Sequence, residues 1–206
     1  MRKHFSAFAG FGMATLLSLT LTCTSHAQKY SPLHYSVTGG LLSVSRNFSD
    51  NRTDLGLASE NKYVYGLHIG ADIPLVKLSP EQTIGLSLNA GGLTPSSQNT
   101  GWGLDAPILI TLPEYVTWRM GARSSRKSQK DFGLGIGLGY RFGFAMMPAF
   151  HAPSAMIEGA YITPRRDFFL RFTSDLTSVS YTQPEENPLI SKMTLRTTML
   201  SFGFTL

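Results

Sequence analysis

Residues 132–144 read F-G-L-G-I-G-L-G-Y-R-F-G-F, so large apolar or aromatic side chains alternate there with glycine or arginine. Side chains on a β-strand point alternately to opposite faces, and this strict period of two predicts a strand with one apolar face and one nearly bare face. The run is longer than the roughly 9 to 11 residues that a tilted strand needs to cross a bilayer. The segment therefore predicts a membrane-spanning strand.

The same alternation recurs in weaker form along the chain, which contains no second segment as apolar and as long as a transmembrane helix. A chain that crosses a membrane with strands must close its sheet into a barrel, because only closure pairs every backbone group. We therefore predict an all-β fold, an eight-stranded antiparallel up-and-down transmembrane barrel over residues 28–206. Its strands are expected near residues 33–41, 63–73, 84–90, 106–120, 132–144, 155–163, 168–176 and 198–206.

Residues 1–27 have the pattern of a secretory signal peptide, with Arg2 and Lys3 before an apolar stretch and a small polar end at Ser25-His26-Ala27. A retained membrane anchor is one alternative, but glycine and serine interrupt a run that is shorter than about 20 apolar residues. A lipoprotein signal with Cys23 as the lipidated residue is another. Removal of this segment would leave no cysteine, hence no disulfide and no thiolate nucleophile.

The predicted connections differ in length according to their order in the chain. The odd gaps, near residues 46–62, 93–105, 145–153 and 182–192, are long and polar, whereas the even gaps, near residues 74–82, 121–130 and 164–167, are on average shorter. Outer-membrane barrels have long external loops and short periplasmic turns. The sequence thus predicts an outer-membrane protein of a Gram-negative bacterium with both termini in the periplasm.

Aromatic residues are expected at both edges of the apolar exterior, as amphipathic rings favour the headgroup level. The outer girdle is predicted to hold Tyr63, Tyr65, Tyr140, Phe142 and Phe144, and the inner girdle Tyr35, Trp118, Phe132, Tyr161, Phe168, Phe202 and Phe204.

The C-terminal stretch M-L-S-F-G-F-T-L (199–206) carries Leu200, Phe202, Phe204 and Leu206 on one face and resembles the strand that the barrel assembly machinery recognises. Together with L-D-A-P-I-L-I (104–110) and the glycine-alternating strand, it resembles the small outer-membrane β-barrel families of Gram-negative bacteria, although these usually end in Phe or Trp. The resemblance implies a role in envelope integrity, adhesion or host interaction. It also implies outer-membrane lipid, lipopolysaccharide and the assembly machinery as partners, and leaves any partner of the external loops open.

The inward parity predicts a polar network in the lumen. An eight-stranded barrel is just wide enough for side chains to fill it, so we expect a packed core instead of a pore. The residues with this parity are Glu158, Arg171, Asp175, His68, Asp72 and Arg141. A turn near 164–167 would place Ala160 opposite Arg171 and Glu158 within reach of it, which predicts a Glu158–Arg171 ion pair. This pair either neutralises buried charge or acts as a gate.

One strand departs from its own alternation. Continued parity would put Glu114 on the lipid face, so we predict a β-bulge at Pro113 that turns Glu114 inward and Tyr115 outward. No bulge is needed if Glu114 lies high in the membrane interface.

Two further expectations concern the turns and the last strand. The basic residues Arg123, Arg126, Lys127 and Lys130 are expected in a solvated turn, with contact to acidic envelope partners as the alternative. Replacement of Gly203 by alanine is expected to be mild.

Enzymatic and nucleic-acid functions receive little support. His34 and Ser36 share one face and Asp72 can approach the imidazole, but a lipid A hydrolase needs a nucleophile that faces lipid. The glycines of 132–144 lack the spacing of a dinucleotide motif, and the net charge of +5 is modest. We expect no catalytic, cofactor or metal site and no nucleic-acid partner. The alternatives are a narrow solute channel and a lipid-modifying enzyme.

Overall fold

The structure, a computed structural model, describes residues 33–50, 53–95, 109–125, 128–144, 150–163, 166–181 and 190–205. Within these ranges the strands are β1 (Leu33–Asp50), β2 (Thr53–Ser79), β3 (Gln82–Pro95), β4 (Leu109–Gly121), β5 (Phe132–Phe144), β6 (Phe150–Ile162), β7 (Asp167–Asp175), β8 (Val179–Tyr181) and β9 (Ile190–Thr205). In the same ranges, no helix is long and apolar enough to cross a membrane. The predicted signal peptide and Leu206 lie outside the described residues.

Every neighbouring pair of strands is antiparallel, and β1 pairs with β9 to close the sheet. The short strand β8 does not add a ninth strand to the circumference of the barrel. It lies on β9 in line with β7, because Ser174 pairs with Thr198 and Val179 pairs with Leu195. The predicted eight-stranded, all-β, antiparallel barrel with sequential neighbours is therefore confirmed.

Alternation along β5 produces the two faces that the sequence predicts. Leu134 is 58% exposed on the outside, whereas the glycines between the apolar residues face the lumen. Neighbouring strands fill the space above these glycines. A side-chain carbon added to Gly137 would lie 2.8 Å from Met156 Cγ and 3.1 Å from Thr117 Cγ2. The bare face of β5 thus accommodates large side chains from β4 and β6.

Two segments that were predicted to be connections are partly β-strand. The ladder between β1 and β2 continues to the pair Asp50–Thr53, so residues 46–50 and 53–62 are paired strand where a polar loop was predicted. At the other end β2 runs to Ser79, because the register shifts between Pro74 and Val76 and again between Lys77 and Ser79. A bulge accommodates a proline that cannot donate to the ladder, so Pro74 does not end the strand.

The two ends of the lumen differ in composition. We call the end that holds Leu33 and Thr205 the terminal end, and the opposite end the far end. Towards the far end lie two apolar clusters, with Leu42 and Leu109 packed against both: Val44 and Leu195 in one, and Val64, Leu93 and Met199 in the other. Lys62, the register partner of Leu42, is also buried at this end. The terminal end holds charged and polar groups together with a small apolar cluster of Ala122, Ala160 and Phe169.

An aromatic row encircles part of the exterior at the terminal end. Its members are successive register partners on β1, β9, β7, β6 and β5, namely Tyr35, Phe204, Phe168, Tyr161 and Phe132. The rings of Phe132 and Tyr161 are 4.7 Å apart, and those of Tyr35 and Phe204 are 6.3 Å apart. The row places five of the predicted inner-girdle residues next to one another on the exterior.

Candidate functional site in the barrel lumen

Two carboxylates form the centre of the terminal-end lumen. Asp72 on β2 and Glu158 on β6 are both almost completely buried. Arg119 of β4 bridges them, with Nη2 2.7 Å from Asp72 Oδ1 and Nε 3.2 Å from Glu158 Oε1. Arg171 of β7 donates to Glu158 Oε2 from Nε at 2.9 Å and from Nη2 at 2.6 Å. Such charge-assisted, forked contacts fix the orientation of each guanidinium.

A third guanidinium reaches the same carboxylates from the turn between β4 and β5. Arg123 donates from Nη2 to Asp72 Oδ2 at 2.5 Å and from Nη1 to Glu158 Oε1 at 3.3 Å. The expectation of a solvated turn is wrong for this residue, which is 2% exposed. Lys130 of the same basic group is exposed, whereas Arg126 and Lys127 lie outside the described residues.

The turn that carries Arg123 is held in an uncommon conformation. Gly121 has φ of 74° and Arg123 has φ of 61°, and a positive φ is unfavourable for a residue with a long side chain. Ser124 N donates to Gly121 O at 3.1 Å, and Ala122 N donates to Phe132 O at 2.9 Å. These bonds and the two carboxylates hold the guanidinium inside the barrel, because together they offset the backbone strain.

An aromatic ring lies beneath the charges. Phe169 is buried inside the barrel, with Arg123 Cζ 4.3 Å and Arg171 Cζ 4.9 Å from its ring centroid. The ring of His34 meets it edge to face at 5.1 Å. A cation over an aromatic face is stabilised by the ring quadrupole, more strongly where water is excluded. Phe169 therefore contributes attraction as well as volume.

Asn89 connects this network to the middle of the lumen. Its Oδ1 accepts from Arg171 Nη1 at 2.8 Å, which fixes this atom as the amide oxygen. His34 Nε2 lies 2.9 Å from the same oxygen and must therefore be the N–H donor, while His34 Nδ1 lies 3.5 Å from Asp72. The imidazole thus contacts Asn89 and Asp72 on its two sides. These contacts fit a packed lumen histidine.

The predicted pairing of β6 and β7 is off by two residues. Glu158 lies directly opposite Arg171, and Ala160 lies opposite Phe169, so the two charged residues face each other across the strands without a diagonal reach. The turn between the strands begins one residue earlier than predicted, since Ile162 pairs with Asp167 and Thr163 N donates to Arg166 O at 2.9 Å.

The predicted bulge at Pro113 is wrong. The register of β4 with β5 is unbroken, with Pro113 opposite Arg141 and Glu114 opposite Tyr140. Tyr115 is 1% exposed inside the barrel, and Glu114 is on the outside at the level of an outer-girdle tyrosine. Asn89 Nδ2 donates to Pro113 O at 3.2 Å, so this side chain satisfies a backbone carbonyl at the point where the ladder between β3 and β4 is interrupted.

Because a bulge was predicted at Pro113, Arg119 was not predicted to belong to the network. Unbroken alternation from Tyr115 puts Thr117 and Arg119 inside, which the bulge would have turned outward. The two acids near the terminal end had one predicted cationic partner, Arg171, and this shortage of positive charge was the available signal. Nothing in the periodicity pointed to Arg123, because it lies in a turn.

A second charge pair lies nearer the far end. Arg141 donates from Nε to Asp175 Oδ1 at 2.9 Å and from Nη2 to Asp175 Oδ2, and Nη2 also lies 2.7 Å from Thr197 Oγ1. The backbone N–H of Thr197 donates to the same carboxylate at 2.7 Å. This forked pair therefore ties β5, β7 and β9 together across the lumen.

His68 occupies the middle of the lumen. Its Nδ1 is 2.9 Å from Thr38 Oγ1 and its Nε2 is 2.8 Å from Thr111 Oγ1. A small cavity beside it, lined by Ser36, Tyr115 and others, has a volume of about 20 Å³. A space of this size holds about one water molecule. All six residues predicted for the lumen network, Glu158, Arg171, Asp175, His68, Asp72 and Arg141, are thus located in the interior.

The C-terminal strand places the predicted assembly residues on the exterior. Leu200 and Phe202 are about half exposed, and Phe204 is partly exposed within the aromatic row. The expectation that Gly203→Ala is mild is wrong for this packing. An added carbon would overlap the ring of Phe169 and lie 2.5 Å from Tyr35 O.

The terminal-end network is a set of buried ion pairs. Three guanidinium groups meet two carboxylates, so every charged group has an opposite partner and one formal positive charge is in excess. Among the described residues, no group of three or more His, Cys, Asp or Glu is placed to hold a metal ion. Paired buried charges of this kind are retained only when their hydrogen bonds are satisfied.

Comparisons with known proteins give low similarities. No protein-family model matches the chain, and no curated protein matches it significantly. The chain is similar to outer membrane protein OprG from Pseudomonas aeruginosa at 11% identity and a TM-score of 0.41, over 87% of this chain and 98% of that one. It is similar to Neisserial surface protein A at 11% identity and a TM-score of 0.38, over 83% and 94% of the two chains. It is also similar to the outer membrane protease OmpT from Escherichia coli at 9% identity and a TM-score of 0.37, over 88% and 99%. At such identities and TM-scores the similarities say nothing about activity.

Proposed function

We propose that this chain is an outer-membrane β-barrel protein of a Gram-negative bacterium with a closed lumen and no enzymatic activity. Its termini lie in the periplasm, and it acts in envelope structure or in surface interaction through its external loops. The observation that carries the proposal is the position of Arg123. A turn residue folded into the barrel and bonded to Asp72 and Glu158 blocks the terminal end with side chains from five different segments.

The exterior supports the membrane location. Large apolar side chains are exposed on successive strands, among them Leu67 at 68%, Leu138 at 65% and Ile157 at 60%. In water this much exposed apolar surface is unfavourable, whereas in a bilayer it is the surface that lipid covers. The aromatic row at the terminal end fits a headgroup level.

Ion conductance tests the closed lumen. The mature chain, folded into a planar bilayer, is expected to give no stable conductance. Arg123→Ala is expected to give short openings, because it removes a bulky group that two carboxylates hold at the terminal end. Arg196→Ala, on the exposed exterior of β9, is the matched control and is expected to stay silent. Stable conductance of the parent chain would overturn the closed lumen and favour a solute channel.

The absence of enzymatic activity has its own test. Expression of the chain in a bacterial outer membrane is expected to leave the mass spectrum of lipid A and of the phospholipids unchanged. A new species that disappears in Ser36→Ala would refute the proposal and favour a lipid-modifying enzyme.

A further inference from the structure

The exterior of the barrel has a dent centred on Gly159. One row of register partners crosses β4, β5, β6, β7 and β9 at this level, and it reads Met120, Leu134, Gly159, Leu170 and Phe202. Gly159 contributes no side chain to this row, and a carbon added to it would meet nothing within 4 Å. The row is therefore interrupted between two exposed leucines.

The dent is the deepest part of a groove of about 1010 Å³. Phe132, Tyr161 and Phe168 of the aromatic row form its wall on the side of the terminal end, and Phe202 stacks on Phe168 at 6.0 Å. Groove and aromatic row together make a long apolar slot, comparable in volume to sites that bind small molecules, which enclose about 300 to 1,000 Å³.

Two cations lie beside the aromatic row. Lys130, which is exposed, lines the groove just before Phe132, and Arg166 Cζ lies 5.3 Å from the ring of Phe204. Asp167, the acidic neighbour of Arg166, has the lumen parity of Phe169 and points away from the groove. Asp131, which is exposed, lies between Lys130 and Phe132 in the chain, so this edge of the slot has two cations with one exposed carboxylate beside them.

We propose that this groove binds an anionic phospholipid of the periplasmic leaflet, with one acyl chain over Gly159 and the phosphate near Lys130 and Arg166. The inference rests on the proposed membrane location. An apolar slot that ends at two cations matches the amphipathic shape of such a lipid, and each cation near an anionic headgroup is worth about 1 kcal/mol, or roughly fivefold in affinity.

The experiment measures lipid preference in the folded protein. The mature chain is placed in nanodiscs of phosphatidylcholine that contain phosphatidylglycerol, and native mass spectrometry counts the retained lipids of each kind. The parent is expected to retain phosphatidylglycerol with a preference of at least about fivefold. Gly159→Trp, which fills the slot, is expected to remove the preference. Gly39→Trp is the matched control, because Gly39 is also on the exterior with nothing within 4 Å, and it is expected to keep it.

A second variant tests the contribution of the headgroup contacts separately from that of the slot. Lys130→Gln with Arg166→Gln is expected to abolish the preference without change to the barrel, and Lys77→Gln, an exposed cation on β2, is expected to retain it. Heat-modifiable migration on gels establishes first that each variant is folded and inserted, so a failure of the membrane location is seen separately. A folded parent without preference, or equal loss in Gly39→Trp and Gly159→Trp, would overturn the inference.

Discussion

The two ends of the lumen hold different kinds of side-chain interaction. At the far end, Val64, Leu93 and Met199 pack with other apolar side chains that need no particular partner. At the terminal end, Asp72 and Glu158 each need at least two cations in defined positions. The same barrel therefore contains one region that tolerates small shifts of its side chains and one that does not. Apolar contacts are non-directional, whereas buried charges require specific bonds.

The largest expected effect lies at the terminal end. Glu158→Ala would leave Arg119, Arg123 and Arg171 with Asp72 alone, and the free energy of unfolding is expected to fall by about 3 to 5 kcal/mol, the usual cost of breaking a buried pair. Urea titration of the lipid-inserted protein, followed by tryptophan fluorescence, measures this loss. Glu81→Ala, in an exposed turn, is the control, and an equal loss in both variants would contradict the comparison.

The double variant Glu158→Ala with Arg171→Ala sharpens the same point. Because the second change removes a cation that the first left without its carboxylate, the double variant is expected to lose less stability than the sum of the two single variants. Strict additivity would show that the two side chains do not interact. The same urea titration supplies all the values.

A smaller effect is expected at the far end. Leu93→Ala leaves a cavity among apolar neighbours, with an expected cost of about 2 to 3 kcal/mol, in the lower part of the range for buried leucines. The cost is expected to be additive with Glu158→Ala, since the two sites share no partner. Coupling between them, measured by the same titration, would mean that the lumen responds as one unit.

The expected cost of Gly203→Ala is about 1 to 3 kcal/mol, as is typical of overpacking. The added methyl meets the Phe169 ring that supports Arg123 and Arg171. Gly39→Ala, on the exterior of the neighbouring strand, has open space and is the control. The folded fraction on gels and the urea midpoint are the measurements, and an unchanged midpoint in Gly203→Ala would refute the close packing.

The smallest effect concerns pH at the turns of the terminal end. Ser128 Oγ donates to Glu81 Oε2 at 2.5 Å and Gln129 N donates to Oε1 at 3.2 Å, and these bonds lower the pKa of Glu81 below its usual value of 4.5. A lowered pKa in the folded state means a stabilisation that is present above pH 4.5 and is lost as the pH falls through the folded pKa. The amide resonance of Gln129, followed by NMR between pH 6 and pH 3 in about half-unit steps, is expected to shift below pH 4.5, and to be insensitive to pH in Glu81→Gln.

Alternation predicted much of this architecture. Period two along β5 located the lipid face, and the same parity placed Asp72, Glu158 and Arg171 on the lumen side before any contact was known. Side-chain parity transfers directly to three dimensions, because each residue of a strand has only two directions available. The ends of β1 and β2 were predicted poorly, since polar composition is equally compatible with a loop and with a hairpin that extends beyond a membrane.

The two missed residues, Arg119 and Arg123, were missed for different reasons. Arg119 was concealed by a bulge introduced to keep Glu114 away from lipid, although the strand keeps its register and leaves Glu114 beside Tyr140. Arg123 follows no period, and its direction depends on the positive φ values of Gly121 and Arg123. Turn conformations of this kind follow from the tertiary bonds that hold them, so a sequence pattern does not contain them.

The position of Arg123 also constrains the order of folding. Its partners come from β2 and β6, 51 and 35 residues away along the chain, and Arg171 arrives from β7. The charges neutralise one another only when these distant segments are together. Contacts between residues far apart in the chain form slowly, because the loss of chain entropy precedes the favourable energy of the contact. We therefore expect the terminal-end network to form late in folding, after β2, β6 and β7 have come together.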